Sequence, residues 1–576
     1  MKAHLCLWFV VLTLAFLSCS PAAVPSPTSS STPVVPTGPA PKTPTAAPSP
    51  SAPTTTPVPS IASGPKRGGT LKIAVYDDIV AWDFMASNNP YATTRMPQSL
   101  AFNQVFSIVN TPQAGCTLFA TPELADRFTW LDDLNLELRV RQGVRFHNKA
   151  PVSGRPLTAQ DIAYSLQRLG EKQARVKSAF TNIEKIVAPD ATSVRITLKA
   201  PDAFITQSSF LASSYGAYVV APEAGGPAGK WDDPATSYIG TGPFMFESYL
   251  PGIKTTWVRS PTYWKPGLPY VDRVDFLIVP DVSSWAAALR SGKIDVAPYA
   301  VPLPMAEDLK VTAPQLAQHA CPGQSVTGLA MRTDKPPLND MRVRRALSMA
   351  VDRDGLNRSV WAGRGQTPLV SQPTADSLVA PWNELAPEVR KYLEFRPDEA
   401  SRLLAEAGYP GGKGLALQIA AHRALTLGLQ HEIEGIAAGW QKLGVDATVD
   451  WMDGGAFSRT VGTGKYEGLA VRGALIPLYR LAENYVSSSD PGQNASYVRD
   501  TELDSLFLEL RKTADPAGQK EVGRKLQARL MQQVYYIQMV VGDNVTIWQP
   551  WVRNFGPVAE YFLARPWAEV LWLDRQ

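Results

Sequence analysis

The stretch "DKPPLNDMRVRRALSMAVDRDGL" (334–356) carries the most informative pattern in the chain. Asp340 stands where a helix N-cap belongs, with a carboxylate that can accept from the free amides of the first turn. Val343, Ala346, Leu347, Ala350 and Val351 then recur at helical spacing and make one apolar stripe. Arg342, Arg344 and Arg345 fall on the opposite side, where a solvated or salt-bridged face is expected.

The same alternation of helix and strand signals continues on both sides. "RPDEASRLLAEAGYPGG" (396–412) predicts a helix from Asp398 that Gly408 ends. Leu429, Ile433, Ile436, Trp440 and Leu443 form another stripe closed by Gly444, and "VDATVDW" (445–451) follows as a strand. Thr501 and Pro516 open two more helices, and "YYIQMVV" (535–541) returns to strand character. Towards the N-terminus strands dominate. Leu71, Ile73 and Val75 alternate, as do Leu136, Leu138 and Val140, and Val194, Ile196 and Leu198. A more buried strand lies in 271–280, and Thr158 with Asp161 resembles a capping box. The fold class is mixed α/β without an internal repeat.

Ahead of this body lie 66 residues of another kind. Leu5 to Leu17 is apolar except for Thr13, too short to span ~30 Å of hydrocarbon but suited to a signal-peptide core. "FLSC" (16–19) resembles a bacterial lipobox, which implies cleavage before Cys19 and a lipid on its thiol. Residues 20–66 hold 14 of the 50 prolines and two charges, so they cannot bury enough surface to fold. At ~3.1 Å per residue they form an extended tether of up to ~145 Å. The chain as a whole is close to charge balance, 56 Lys+Arg against 52 Asp+Glu over 576 residues, which speaks against nucleic acid as the main partner.

Several blocks, in order, resemble the large solute-binding proteins of bacterial ABC importers, the peptide/nickel-binding (oligopeptide-binding-like) family 5. They are "LELRVRQGVRFHNKAPVSGRPLTAQDIAYSLQRL" (136–169), "IGTGPFMFESYLPG" (239–252), "YWKPGLPYVDRVDFLIVPD" (263–281) with "ALRSGKIDV" (288–296), the opening stretch, 396–412, and "WQKLGVDATVDWMD" (440–453). The resemblance implies a bilobal, periplasmic-binding-protein-like α/β fold with an extra domain and a ligand cleft between lobes. Its first lobe is discontinuous, drawn here from 67–115, 216–315 and 526–576. The extra domain takes 116–215 and the second lobe 316–525, after a signal peptide at 1–18 and the tether at 19–66. The function implied is capture of a small solute and delivery to the permease subunits of an importer. The receptor is expected to be an extracytoplasmic monomer held at the cell membrane by lipid. No cofactor and no metal is expected.

The same resemblance suggests cleft residues. Trp82 and Asn89 lie in "VYDDIVAWDFMASNNPY" (75–91), a loop that lines the cleft in this family. Trp451, Arg472 and Tyr485 are the candidates from the second lobe. Peptide-binding relatives place an Asp against the peptide's α-ammonium; here Arg472 lies near the preceding Trp position and Leu475 takes the place of the Asp. Burying an ammonium without a carboxylate costs several kcal/mol, so a peptide held by its N-terminus is disfavoured. An Arg there favours a carboxylate, phosphate or hydroxyl-rich ligand, unless Arg472 serves a structural ion pair. The solute classes left open are peptides, oligosaccharides and organic anions.

Catalysis finds little support. His147 reads as a satisfied structural histidine, Gly240 and Gly242 as a tight turn. "HEIEG" (431–435) has Gly435 where a zinc protease needs its second His. A secreted hydrolase and a sensory receptor on the same fold remain the rival readings. Cys116 and Cys321 can form a disulfide in an oxidising compartment.

Overall fold

Leu71 and Ile73 are fully buried, and their strand, Thr70–Val75, runs parallel to Arg273–Ile278 in register from Thr70↔Arg273 to Val75↔Ile278. The computed structural model describes residues 64–576 with gaps. These are 77, 80, 86–91, 110–118, 173–179, 208–210, 212–216, 227–228, 299–300, 323–325, 368, 371–377, 424, 426, 475–477, 479–480, 482–484, 488–493, 556–566 and 576. The signal peptide, Cys19, the tether, Asn89, Cys116 and Leu475 therefore lie outside the described residues.

Thr70–Val75 sits inside a seven-stranded sheet. Its order is Ala317–Pro322, Asp543–Trp548, Val296–Ala297, Thr70–Val75, Arg273–Ile278, Lys254–Arg259, Phe244–Leu250. Three separate pieces of chain thus build one sheet: 70–75, 244–322 and 543–548. Sheet membership changes between Pro322 and Val326 and again between Gln538 and Asp543. The boundaries expected at 316 and 526 precede these points, because strand periodicity does not reveal which sheet a strand will join.

The second lobe carries a five-stranded sheet ordered Asp446–Met452, Ala416–His422, Leu469–Ala474, Val326–Met331, Tyr536–Gln538. The first three strands are mutually parallel, and the other flanking pairs are antiparallel. The extra domain is a four-stranded antiparallel sheet, Ala125–Trp130, Asn135–Val140, Ser193–Leu198, Ile183–Val187, covered by helix Ala159–Lys172. Thr158 opens that helix as its sequence suggests, with its amide and hydroxyl both donating to Asp161.

The helix that opened the sequence reading runs Met341–Met349, with the Asp340 carboxylate accepting from the Arg342 amide. One expectation for it is corrected. Arg342 does pair on the surface with Asp340, but Arg344 is buried, 4% exposed. Its guanidinium donates to the carbonyls of Leu338, Asn339, Gln533 and Val534. It therefore satisfies the carbonyls left over at the end of helix Pro516–Gln533, where a cation also suits the helix dipole. Burial pushes the Arg344 guanidinium down to about 10.

His147 is buried and doubly bonded. Its Nε2 donates to the Gly242 carbonyl at 2.9 Å, and its Nδ1 accepts from the Gly240 amide at 3.3 Å. Burial pulls it down to about 4, so the ring stays neutral. The two glycines serve close packing: a Cβ on Gly240 would overlap the Ala101 backbone and the Phe102 ring, and one on Gly242 the backbone of Leu100 and Ala101.

Candidate functional site

The strand directions locate the boundary between the lobes. Ala317–Pro322 is antiparallel to Asp543–Trp548, which is antiparallel to Val296–Ala297, which is parallel to Thr70–Val75. Pro322 therefore ends at the same side of the sheet as Val75 and Ile278, and Asp543 begins there. In the second lobe Val326 lies opposite Ala474 and Gly328 opposite Gln538, so the chain enters and leaves at the C-terminal end of Leu469–Ala474. His422 and Met452 end on that side too. Both sheets thus turn the C-terminal ends of their parallel strands towards the boundary that the chain crosses twice. Open α/β sheets bind ligands outside such ends.

From the first lobe, the loop after Val75 enters this boundary and is pinned twice. Asp78 accepts from the Tyr249 hydroxyl at 2.8 Å and the Gly252 amide at 2.7 Å. Burial and that bond push the Tyr249 phenol up to about 12. Asp83 pairs with Arg168 of the extra domain at 2.7 Å. Between them, Trp82 meets Tyr238, Phe246 and Tyr249 edge to face at 5.2–5.6 Å. Trp82 is thereby partly buried against an aromatic cluster of the first lobe.

From the second lobe come Arg423, whose guanidinium donates to the Trp451 carbonyl, and His422, whose ring meets Phe457 edge to face. Burial lowers the His422 pKa, and the Asp453 charge opposes that. Asp453 caps helix Gly454–Thr460 through the Ala456 amide.

The sequence candidates of this lobe do not converge. Side chains alternate across a sheet. Trp451 packs with Ile419, Ala421 and Val471 in one apolar cluster. Ala420 and Ala470 belong to another, with Tyr466, Tyr485, Tyr535 and Tyr536. Arg472, two residues past Ala470, shares this second face, so Trp451 and Arg472 stand on opposite sides of the same sheet. Tyr485 is buried and meets Tyr536 edge to face at 6.5 Å. The Tyr536 hydroxyl donates to the Arg472 carbonyl, and its ring lies across Gly328, where a Cβ would come within 2.5 Å of Cε1. Burial raises the Tyr466 and Tyr536 phenols, and the Arg472 charge opposes the rise at both. Tyr466 and Tyr536, which surround Arg472, escaped the sequence reading because their roles depend on a face shared across strands.

The second crossing is gripped along its length. The Met539 amide donates to Thr327, and Val541 exchanges both backbone bonds with Gln366. The Val540 amide donates to Glu432 Oε1 at 2.5 Å, and Glu432 Oε2 accepts from Trp361 Nε1 at 3.0 Å. Gly542 lies against the Trp361 ring, which a Cβ there would overlap. Arg364 reaches from the second lobe to Asp543 at 3.0 Å and to Glu307 of helix Leu303–Thr312 at 2.7 Å. Glu432 belongs to "HEIEG", the near-miss of a metal motif; its carboxylate holds the hinge. Among the described residues no three His, Cys, Asp or Glu gather in a way that could hold a metal ion. Cys321 is disulfide-bonded.

The profile described as bacterial extracellular solute-binding proteins, family 5 middle, matches residues 120–487. The heme-binding protein A of Haemophilus influenzae is 30% identical over 58% of this chain and 62% of its own length, so the match spans less than two thirds of that relative. The dipeptide-binding protein of Pseudomonas aeruginosa is 26% identical over 76% of this chain and 83% of its own. Among solved structures, the agropinic acid complex of AgaA from A. tumefaciens R10 superposes with a TM-score of 0.75 at 22% identity. It covers 88% of this chain and 99% of that one. The peptide complex of DppA from Helicobacter pylori gives 0.73 at 21%, again over 88% and 99%.

Proposed function

This chain belongs to the bacterial extracellular solute-binding proteins of family 5, and from that premise we propose that it captures a small solute between its lobes and delivers it to an ABC importer permease. The observation that carries the reading is the convergence of strand C-termini from two sheets on a boundary crossed by only two described or bounded chain passages. Two bodies joined in that way can rotate about the crossings, and a ligand touching both favours the closed arrangement.

The lipid on Cys19 and the tether belong to this proposal. Tethering raises the effective concentration of the receptor at its membrane partner. The ligand class belongs to it as well: Arg472 among tyrosines suits a carboxylate, phosphate or hydroxyl-rich solute better than a peptide ammonium. Trp82 and Trp451, one from each lobe, are proposed to meet the ligand past the strand ends, with Asn89 and Tyr485 as further contacts; Trp451 approaches from the face of its sheet opposite Arg472 and Tyr485.

A thermal-shift screen against short peptides, oligosaccharides and organic acids tests it. The expected result is a clear shift with an anionic or hydroxyl-rich compound. Tight binding of short peptides that depends on a free α-ammonium would overturn the ligand reading. Turnover of the bound compound would overturn the receptor reading itself.

A further inference from the structure

Phe204 and Ile205 are neighbours in the chain but are buried in different cores. Phe204, 6% exposed, sits in the apolar cluster of the second lobe with Leu503, Phe507 and Leu510, whereas Ile205, 1% exposed, belongs to the cluster of the first lobe and extra domain. The residues before them are fastened to the extra domain: Lys199 donates to Asn182, and Ala200 and Asn182 exchange two bonds.

Contact with the second lobe is also polar. The Ala203 amide donates to the Arg511 carbonyl at 2.8 Å. That carbonyl lies in the last turn of helix Thr501–Lys512, where no intrahelical donor is available to it. The Asp202 carboxylate accepts from the Phe204 amide at 3.0 Å and lies 3.9 Å from the Arg511 guanidinium.

The position of this contact gives it meaning. The crossings leave the seven-stranded sheet at its Ala317–Pro322 and Asp543–Trp548 edge. The extra domain is bonded to the other edge: His147 to Gly240 and Gly242, Lys149 to the Phe246 carbonyl. Six strand spacings of about 4.8 Å separate the two edges by about 29 Å. We propose that Asp202–Ile205 is an interlobe latch, a second fastening far from the hinge that holds the lobes together until Phe204 leaves its socket. The proposal rests on the lobes being a closing pair. It concerns the ligand-free equilibrium, so its failure would leave the ligand screen above untouched.

Small-angle X-ray scattering of the ligand-free protein, with amide exchange at Ala203–Ile205, tests it in Phe204→Ala and Arg511→Glu. The first empties the socket; the second sets a like charge against Asp202 on the rim without making a cavity. Burial of a phenylalanine side chain predicts a shift in the latched-to-open ratio of at least about tenfold. Both variants should show a larger radius of gyration and faster exchange at this segment. If Phe204→Ala unfolds, Arg511→Glu decides alone. A folded Arg511→Glu variant that matches wild type in both measurements would overturn the latch.

Discussion

Val540 and Glu432 meet at 2.5 Å, backbone amide to carboxylate, at the one fully described passage between the lobes. The carboxylate is buried and also accepts from Trp361 Nε1, so one side chain fixes the passage and the ring beside it. A hinge needs such definition: the chain must bend at chosen residues and hold elsewhere.

Burial pushes Glu432 from the ordinary 4.5 up to about 7, against its two hydrogen bonds and the charge of Arg353. The folded chain therefore holds this proton more tightly than the unfolded chain across that interval. Stability falls as pH rises from about 4.5 to about 7, by roughly 3 kcal/mol from this group. Glu432→Gln cannot ionise, so urea midpoints measured across the interval should lose that component.

His147 works in the opposite sense. Burial lowers it from 6.5 to about 4, so the unfolded chain takes up the proton first as pH falls. Its contribution is complete above about 6.5 and is lost towards pH 4, again by roughly 3 kcal/mol. In the wild type the two slopes largely cancel between pH 4.5 and 6.5. His147→Gln should expose the Glu432 slope, and Glu432→Gln the histidine slope; matching slopes in both variants would contradict the assignment.

Two arginines two residues apart should behave very differently. Arg344→Met removes a buried cation that serves four carbonyls and should cost about 3 kcal/mol in urea denaturation. Arg342→Met removes a half-exposed pair with Asp340 and should leave the urea midpoint close to that of the wild type.

The disulfide of Cys321 has a predicted partner. Peptide mapping without reductant should find the peptide of Cys321 joined to that of Cys116. A link from Cys321 to any other cysteine would contradict the expectation.

The contrast between Arg342 and Arg344 also shows what the sequence could convey. Elements with strong periodicity were legible, such as Thr70–Val75 and Met341–Met349, because burial of one face is written into residue spacing. Arg344 read as surface because two of the four carbonyls it serves come from the end of a helix nearly two hundred residues later. Trp82 read as a cleft residue, and the structure sets one side of it against three aromatic rings of its own lobe. Trp451 and Arg472 read as one group, but only the strand register shows that they stand on opposite faces. Phe204 gave no signal at all: a single apolar residue in a loop does not say which core receives it.

A solute receptor, as proposed for this chain, binds and releases its ligand without changing it. Native mass spectrometry of protein purified from its own cells, followed by release of whatever has bound, tests this most directly. One small anionic or hydroxyl-rich molecule per chain is expected, recovered intact and bound more weakly by Arg472→Ala. Recovery of a cleaved or otherwise transformed product generated by the purified protein would contradict it.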